Sequence, residues 1–475
     1  MNDKRRSETP DGKSALRPPP SSLLLPPSAL PSAAPRRELT LLDSTCIIVG
    51  IIIGAGIYRS SPDVARLAPD ATWLIGLWLL GGVLSLIGAL CYAELATAYP
   101  KEGGDYVYLT RAFGRKVGFL FAWCQLWIVR PGSIGVMAYA FAEYANRIWP
   151  QAEGSAATCI LAIYATCSIL VLTAVNILGV REGKWTQNTL TIAKVFGLGT
   201  IVATGFWYAA PTAATPTVSA PSAGFALADV GLAMIFVLFT YGGWNEMAYV
   251  GAEVKEPRKN ILRALLIGTL AVTAIYVLVN LAFLHALGLE GVRHATVAAD
   301  VLDLAIGPWA GLAISLLICV SALGAINGQI FTGARIYYAM GSEHRLYAWL
   351  GRWNARRGTP VCSLLIQGAI TLALVMAFGS SREGFESMVK FTTTGFWFFL
   401  MLVGASVVVL RRREPAMDRP YRVPGYPVTP LLFCLSCSFM VYSSLAYAVA
   451  NRSWEAIWSI AILLVGVAMS FYKPR

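Results

Sequence analysis

An all-α membrane protein of twelve transmembrane helices is the fold class this 475-residue chain predicts, and three observations carry the prediction. Apolar residues make up 56% of the chain and charged residues only 13%, about half the charged share of an ordinary soluble domain. Apolar stretches of membrane-crossing length recur along the chain, since about 20 helical residues traverse a hydrocarbon core of roughly 30 Å. The basic residues also sort by loop, as described below. In order, the predicted spans run 41–67, 72–99, 112–145, 156–179, 186–209, 229–254, 263–287, 302–335, 361–379, 388–411, 427–450 and 454–472. An even number of crossings places both termini on one side.

The formal charge of +12, from 38 Lys and Arg against 26 Asp and Glu, would raise nucleic acid as a partner on a soluble protein. Topology accounts for it here. With a cytoplasmic N-terminus, 29 of the 38 basic residues fall in inside segments or at the adjoining span ends, seven fall in outside segments or at the adjoining span ends, and Arg130 and Lys194 are left within spans. That bias follows the positive-inside rule and would be lost on adding or removing one span. The chain is therefore expected in the plasma membrane, or the inner membrane of a bacterium, with both termini cytoplasmic and no nucleic-acid partner.

The sequence divides into an N-terminal tail (1–38), a block holding spans one to six (39–254), a block holding spans seven to ten (255–412), and the last two spans with a short cytoplasmic C-terminus (413–475). The tail carries eight prolines among Ser, Arg and Lys and is expected to be disordered. Its Leu23-Leu24-Leu25 run is far too short for a signal peptide. The nine cysteines lie in or beside apolar spans without paired spacing in an outside loop, so no disulfide framework is expected. Cys434-x-x-Cys437 has no histidine nearby and reads as two small buried residues rather than a metal pair.

Two spans are interrupted. The first reads Ile51-Ile52-Ile53-Gly54-Ala55-Gly56-Ile57-Tyr58, and the sixth reads Phe239-Thr240-Tyr241-Gly242-Gly243-Trp244-Asn245. Each break comes roughly 13 residues into its span, although the two spans cross in opposite directions. Paired breaks of this kind point to an inverted-repeat transporter with a midplane site. An unwound helix in lipid exposes N–H groups at the start of its second half and C=O groups at the end of its first. A small zwitterion satisfies both. Its carboxylate is expected on the amides of Gly54, Ala55 and Gly56, aided by the half-helix dipole, and its ammonium on the carbonyls of Ile52, Phe239, Thr240 and Gly242. The competing reading makes these glycines close-packing positions between helices.

Taken together, Gly54-Ala55-Gly56-Ile57-Tyr58, Ala93-Glu94-Leu95-Ala96-Thr97 with Pro100, Gly103-Gly104-Asp105-Tyr106-Val107-Tyr108, Ile128-Val129-Arg130-Pro131 and Tyr241-Gly242-Gly243-Trp244-Asn245 resemble the amino acid–polyamine–organocation superfamily, and within it the L-type amino acid transporter family. Further matches are Glu253-Val254-Lys255-Glu256-Pro257-Arg258-Lys259-Asn260 and Asn327-Gly328, followed by Thr332-Gly333-Ala334-Arg335 and Tyr338-Ala339-Met340-Gly341. The resemblance covers about residues 39–440. It implies a five-plus-five inverted repeat with two additional C-terminal helices, and alternating access of an amino acid bound where spans one and six unwind.

Phe239 matches the aromatic that closes over the substrate in family members. Trp244 either lines the side-chain pocket or is a core or lipid-facing aromatic. The place of Lys194 matches the lysine that, in sodium-independent members, occupies the space where sodium-coupled relatives hold a cation; the competing reading is snorkelling to the membrane surface. The resemblance therefore implies exchange or proton coupling rather than sodium coupling. Two departures stand out. Ala55 replaces the serine common in the family, and residues 146–155 lack the cysteine through which animal light chains bond a heavy chain, so no disulfide-linked heavy chain is expected.

Glu246 signals either a cationic or polyamine substrate, a proton-linked step, or simply a hydrogen bond to a neighbouring helix. Glu94 and Glu253 are candidate cytoplasmic gate elements with Lys101 or Arg335 as partners, and Arg130 has no partner evident in sequence. Enzyme chemistry is not expected: His285, His294 and His344 form no metal-ligand spacing, there is no phosphate-binding loop of the GxxxxGK[ST] type, and no cofactor is called for. The chain is thus expected to carry amino acids, most simply neutral L-amino acids. Two alternatives stand beside that: a cationic amino acid or polyamine carrier using Glu246, and a transport-silent sensor of amino acids.

Overall fold

The computed structural model describes residues 35–150, 155–208, 227–294, 297–378, 384–450 and 452–471. Among these, all regular elements are helical, and extended residues pair only as isolated bridges. The first predicted span is two helices, α1 (Leu41–Ile52) and α2 (Gly56–Leu67), bent by 49° across the intervening residues. A capping box sets where α1 begins: the Asp43 amide donates to the Thr40 hydroxyl at 3.2 Å, and the Thr40 amide donates to the Asp43 carboxylate at 2.9 Å.

Helix α3 (Ala71–Ala98) is followed by the short connecting helix α4 (Asp105–Phe113). The third span then runs through α5 (Arg115–Cys124), a π-helical segment at Gln125–Val129, and α6 (Arg130–Ile148). Such wide turns displace the side chains that follow and recur at functional sites. Next come α7 (Ser155–Leu178), α8 (Val180–Trp207) and α9 (Leu227–Thr240), the last ending at Tyr241–Gly243. The sixth predicted span does not resume as an α-helix: Trp244–Tyr249 and Gly251–Glu253 wind as 3₁₀ turns. The remaining helices are α10 (Pro257–Val292), α11 (Val297–Ile306), α12 (Ala310–Glu343), α13 (Val361–Phe378), α14 (Gly384–Arg413), α15 (Val428–Ala450) and α16 (Trp454–Met469). The eighth span starts at Ala310 rather than at 302, because 297–306 forms the separate helix α11.

Nine described helical segments are long and apolar enough to cross a membrane, and the bent pair α1–α2 makes ten. The polarity of the bundle is inside-out. Phe196, Leu435 and Leu464 stand more than half exposed on its outside, whereas Lys194, Asn280, Asn327 and Arg335 are buried within it. That distribution suits a solvent of lipid chains.

Ordered chain begins before residue 39, which corrects the tail boundary. The amides of Glu38 and Leu39 both donate to the Glu253 carbonyl at 2.9 Å, and the Lys255 amide donates to Leu39 at 2.8 Å. This short backbone bridge closes the end of the bundle where α1 starts, called the near end below. Residues 1–34 of the expected disordered tail lie outside the described residues.

Candidate functional site

The breaks of the first and sixth spans come together on one cavity, whose wall includes Gly54, Gly56, Phe239, Thr240, Gly242 and Glu246. Glycine allows the approach. A Cβ on Gly243, whose φ is +117°, would lie 2.8 Å from Ile51 Cγ2, and one on Gly56 would lie 3.2 Å from Thr240 Cγ2. The hydroxyl of Tyr276 on α10 ties the two breaks together, lying 3.1 Å from the Ile52 carbonyl oxygen and 3.2 Å from that of Thr240. Sequence reasoning missed Tyr276, because nothing local in a continuous apolar helix marks one tyrosine as facing two distant breaks.

The nominated backbone groups divide into engaged and open ones. Gly54 donates its amide to the Ile52 carbonyl at 2.8 Å, so its N–H is turned into the break. The amides of Ala55 and Gly56, at the start of α2, meet no acceptor among the described residues. They form the positive end of a helix dipole beside the cavity. The Phe239 carbonyl accepts the Gly242 amide at 3.1 Å. It keeps one lone pair, as do carbonyls of this kind generally.

Lys194 of α8 is fully buried. Its ammonium donates to the carbonyls of Gly50 and Ile53 at 2.8 Å each and of Ser321 at 2.9 Å. All three of its N–H donors are used on the unwinding end of α1 and on α12. The side chain therefore does not snorkel, and its nitrogen sits in a cage of carbonyls of the sort that coordinates a small cation.

Two charges left unassigned by sequence are partners. Arg130 Nη1 lies 2.6 Å from Glu246 Oε2, and the Thr332 hydroxyl donates to the same oxygen at 2.6 Å. Arg130 Nε donates to Gln125 Oε1 at 3.2 Å, and its guanidinium lies over the Tyr249 ring. The π-helical segment supplies Gln125 and leads directly into Arg130. Of the two readings of Trp244, its placement agrees with the core aromatic: it is absent from the cavity wall and packs edge-on against Tyr92 and Phe433, between α3 and α15. Gly243 takes a φ of +117° where the 3₁₀ turn begins, and the residue that follows leaves the cavity wall.

At the near end, Glu253 and Arg335 form a buried bidentate pair at 2.7 and 3.1 Å. Glu94 pairs with neither Lys101 nor Arg335. It accepts from Arg411 at the end of α14, with Nε–Oε1 at 2.8 Å, and from the Val423 amide at 2.7 Å. At the opposite end, α2 reaches α6 through Arg59 and Glu143, which lie 3.6 Å apart and are partly exposed.

A buried carboxyl in the connecting helix α4 also lies close by. Asp105 Oδ2 accepts from the hydroxyls of Tyr249 at 2.7 Å and Tyr92 at 2.8 Å. Burial pushes this carboxyl up to about 7, against the lowering effect of the two hydroxyls. A folded-state value above the unfolded one of 3.8 means that the favourable contribution is complete below about 3.8 and is lost as pH rises through about 7. The melting temperature of the purified protein is therefore expected to fall as pH rises from about 4 to about 7 and to level off above it. Asp105→Asn should flatten that slope. Melting curves of both proteins across this range check it, and equal slopes would remove Asp105 as the cause.

Residues 39–468 match the amino acid permease family. The chain is 30% identical over 438 residues to the b(0,+)-type amino acid transporter 1 of Mus musculus, covering 92% of this chain and 88% of that protein. It is 32% identical over 417 residues to the serine/threonine exchanger SteT of Bacillus subtilis, covering 86% and 91% respectively. Against the large neutral amino acids transporter small subunit 2 of Mus musculus the identity is 29% over 460 residues, covering 93% and 82%.

Proposed function

The chain belongs to the amino acid permease family of the amino acid–polyamine–organocation superfamily, and on that premise we propose that it is a secondary active transporter of neutral L-amino acids, working without sodium. As in its relatives, the family is one of transporters and not of enzymes. In this reading the bundle makes twelve crossings in a five-plus-five inverted repeat plus two helices, in a plasma or inner membrane, with both termini cytoplasmic.

The observation that carries the reading is the meeting of two broken helices on one cavity. The open amides of Ala55 and Gly56 suit a carboxylate, and the carbonyls of Phe239, Thr240 and Gly242 suit an ammonium, whereas that of Ile52 already accepts from the Gly54 amide and faces the Tyr276 hydroxyl. A side chain of the substrate would then face Ile51, Val129, Val136, Met137 and Phe396, an apolar wall that favours uncharged groups. Phe239, also on the wall, is the aromatic that covers the bound substrate. Lys194 holds the position of a coupling cation, leaving exchange or proton coupling as the driving step.

With a cytoplasmic near end, Glu253–Arg335, Glu94–Arg411 and the Leu39–Val254 bridge form the inner closure. No disulfide-linked heavy chain is needed. Proteoliposomes loaded with unlabelled alanine, serine or leucine test the proposal: labelled amino acid is expected to accumulate by counterflow at the same rate in sodium and choline buffers. Absence of uptake for every neutral amino acid would overturn the transport assignment, and uptake that requires sodium would overturn the assigned place of Lys194.

A further inference from the structure

Among the described residues, the cavity wall carries two charged side chains, Arg130 and Glu246, and they neutralise each other. Their environment is nearly dry, with side-chain exposures of 3% and 7%. Each is also held by neutral partners: Thr332 donates to Glu246, while Gln125 accepts from Arg130 and Tyr249 lies beneath the guanidinium. Glu246 Oε2 is thus occupied by two donors at 2.6 Å, and no described residue donates to Oε1.

In such a site a lone carboxylate would draw a second positive charge strongly, and a lone guanidinium a negative one, because the low local dielectric leaves Coulomb attraction poorly screened. Paired, they present no net charge. A cationic side chain entering the cavity would have to displace Arg130 from Glu246 while approaching the guanidinium itself. An anionic one meets the reverse.

We infer that Arg130 is a specificity-determining residue: by neutralising Glu246 it restricts the cavity to amino acids with uncharged side chains, and its removal opens the same site to cationic amino acids and amines. The inference rests on the amino acid transport proposed above and deepens it. Glu246 is thereby a latent cation-recognition group, kept silent by its partner rather than by burial alone.

Competition against uptake of a labelled neutral amino acid tests this in proteoliposomes. Wild-type protein is expected to be inhibited by leucine or alanine and by neither lysine, agmatine nor glutamate. Arg130→Gln should gain inhibition by lysine and agmatine of about tenfold or more, with glutamate still inert. Glu246→Gln should gain inhibition by glutamate instead. An Arg130→Gln protein that transports and still ignores lysine overturns the inference, as does wild-type protein that takes lysine as readily as leucine. Breaking a buried pair can unfold the protein, so thermal shift of the wild type against the same ligands gives a variant-free measurement. Stabilisation by neutral amino acids alone is expected there, and equal stabilisation by lysine overturns the inference. Failure of the transport proposal looks different: no neutral amino acid is then taken up or bound by the wild type at all.

Discussion

Gly243→Val is expected to abolish amino acid uptake while leaving a protein that still inserts in the membrane. Gly243 has a φ of +117°, which a β-branched residue does not adopt without strain, and its Cβ would press on Ile51 Cγ2 at 2.8 Å. Relief requires the sixth-span break to move away from α1, which separates the two sets of backbone groups assigned to the substrate. Strain of this kind costs on the order of 1–3 kcal/mol, enough to move the site without unfolding the bundle. Gly54→Ala makes the control, because the one tight contact of its Cβ would be with the flexible Met137 side chain, at 3.1 Å from Sδ. The expected pattern is background uptake for Gly243→Val and measurable uptake for Gly54→Ala, read by transport assay with expression checked separately. Wild-type uptake by Gly243→Val would show that the breaks need not touch.

Lys194→Ala carries the second large effect. Removing the ammonium leaves the carbonyls of Gly50, Ile53 and Ser321 without their shared donor, at the point where α1 unwinds. Buried acceptors left unmet cost about 1–3 kcal/mol each. The break is then no longer held in one geometry. Turnover is expected to fall about 100-fold, equivalent to roughly 2.7 kcal/mol of barrier, with a smaller loss of substrate affinity. Sodium, which the vacated carbonyls suit, should stimulate the variant and not the wild type. Comparing turnover with binding in sodium and choline buffers decides the matter, and an unchanged rate would reduce Lys194 to a packing role.

The parts of the molecule legible in the sequence are those whose signal is local. Glycines placed mid-span announced both breaks, and a lysine inside an apolar run announced an unusual environment, because each violates the composition of its immediate neighbourhood. Partnership was not legible. Arg130 and Glu246 were each recognised as anomalous and left unpaired, since the pairing depends on how the third and sixth spans pack and on the π-helical turn before Arg130. Glu94 was assigned the wrong set of partners for the same reason: Arg411 lies 317 residues away. The choice between the two readings of Trp244 and the 3₁₀ winding of Trp244–Tyr249 and Gly251–Glu253 are not legible because a glycine break shows where a helix stops, not the direction or pitch in which the chain continues.

The two ends of the bundle are fastened by different forces, and ionic strength distinguishes them. Near the start of α1, the contacts include the backbone bridge from Glu38 and Leu39 to Glu253 and Lys255, and a bidentate pair sealed from solvent. Mobile ions screen neither appreciably. At the other end, Arg59 and Glu143 have 41% and 34% of their side chains exposed. At 1 M salt, charges are screened over about 3 Å, which weakens this pair more than the buried Glu253–Arg335 pair. Salt therefore acts on these two contacts unequally, weakening Arg59–Glu143 while the sealed Glu253–Arg335 pair keeps its grip.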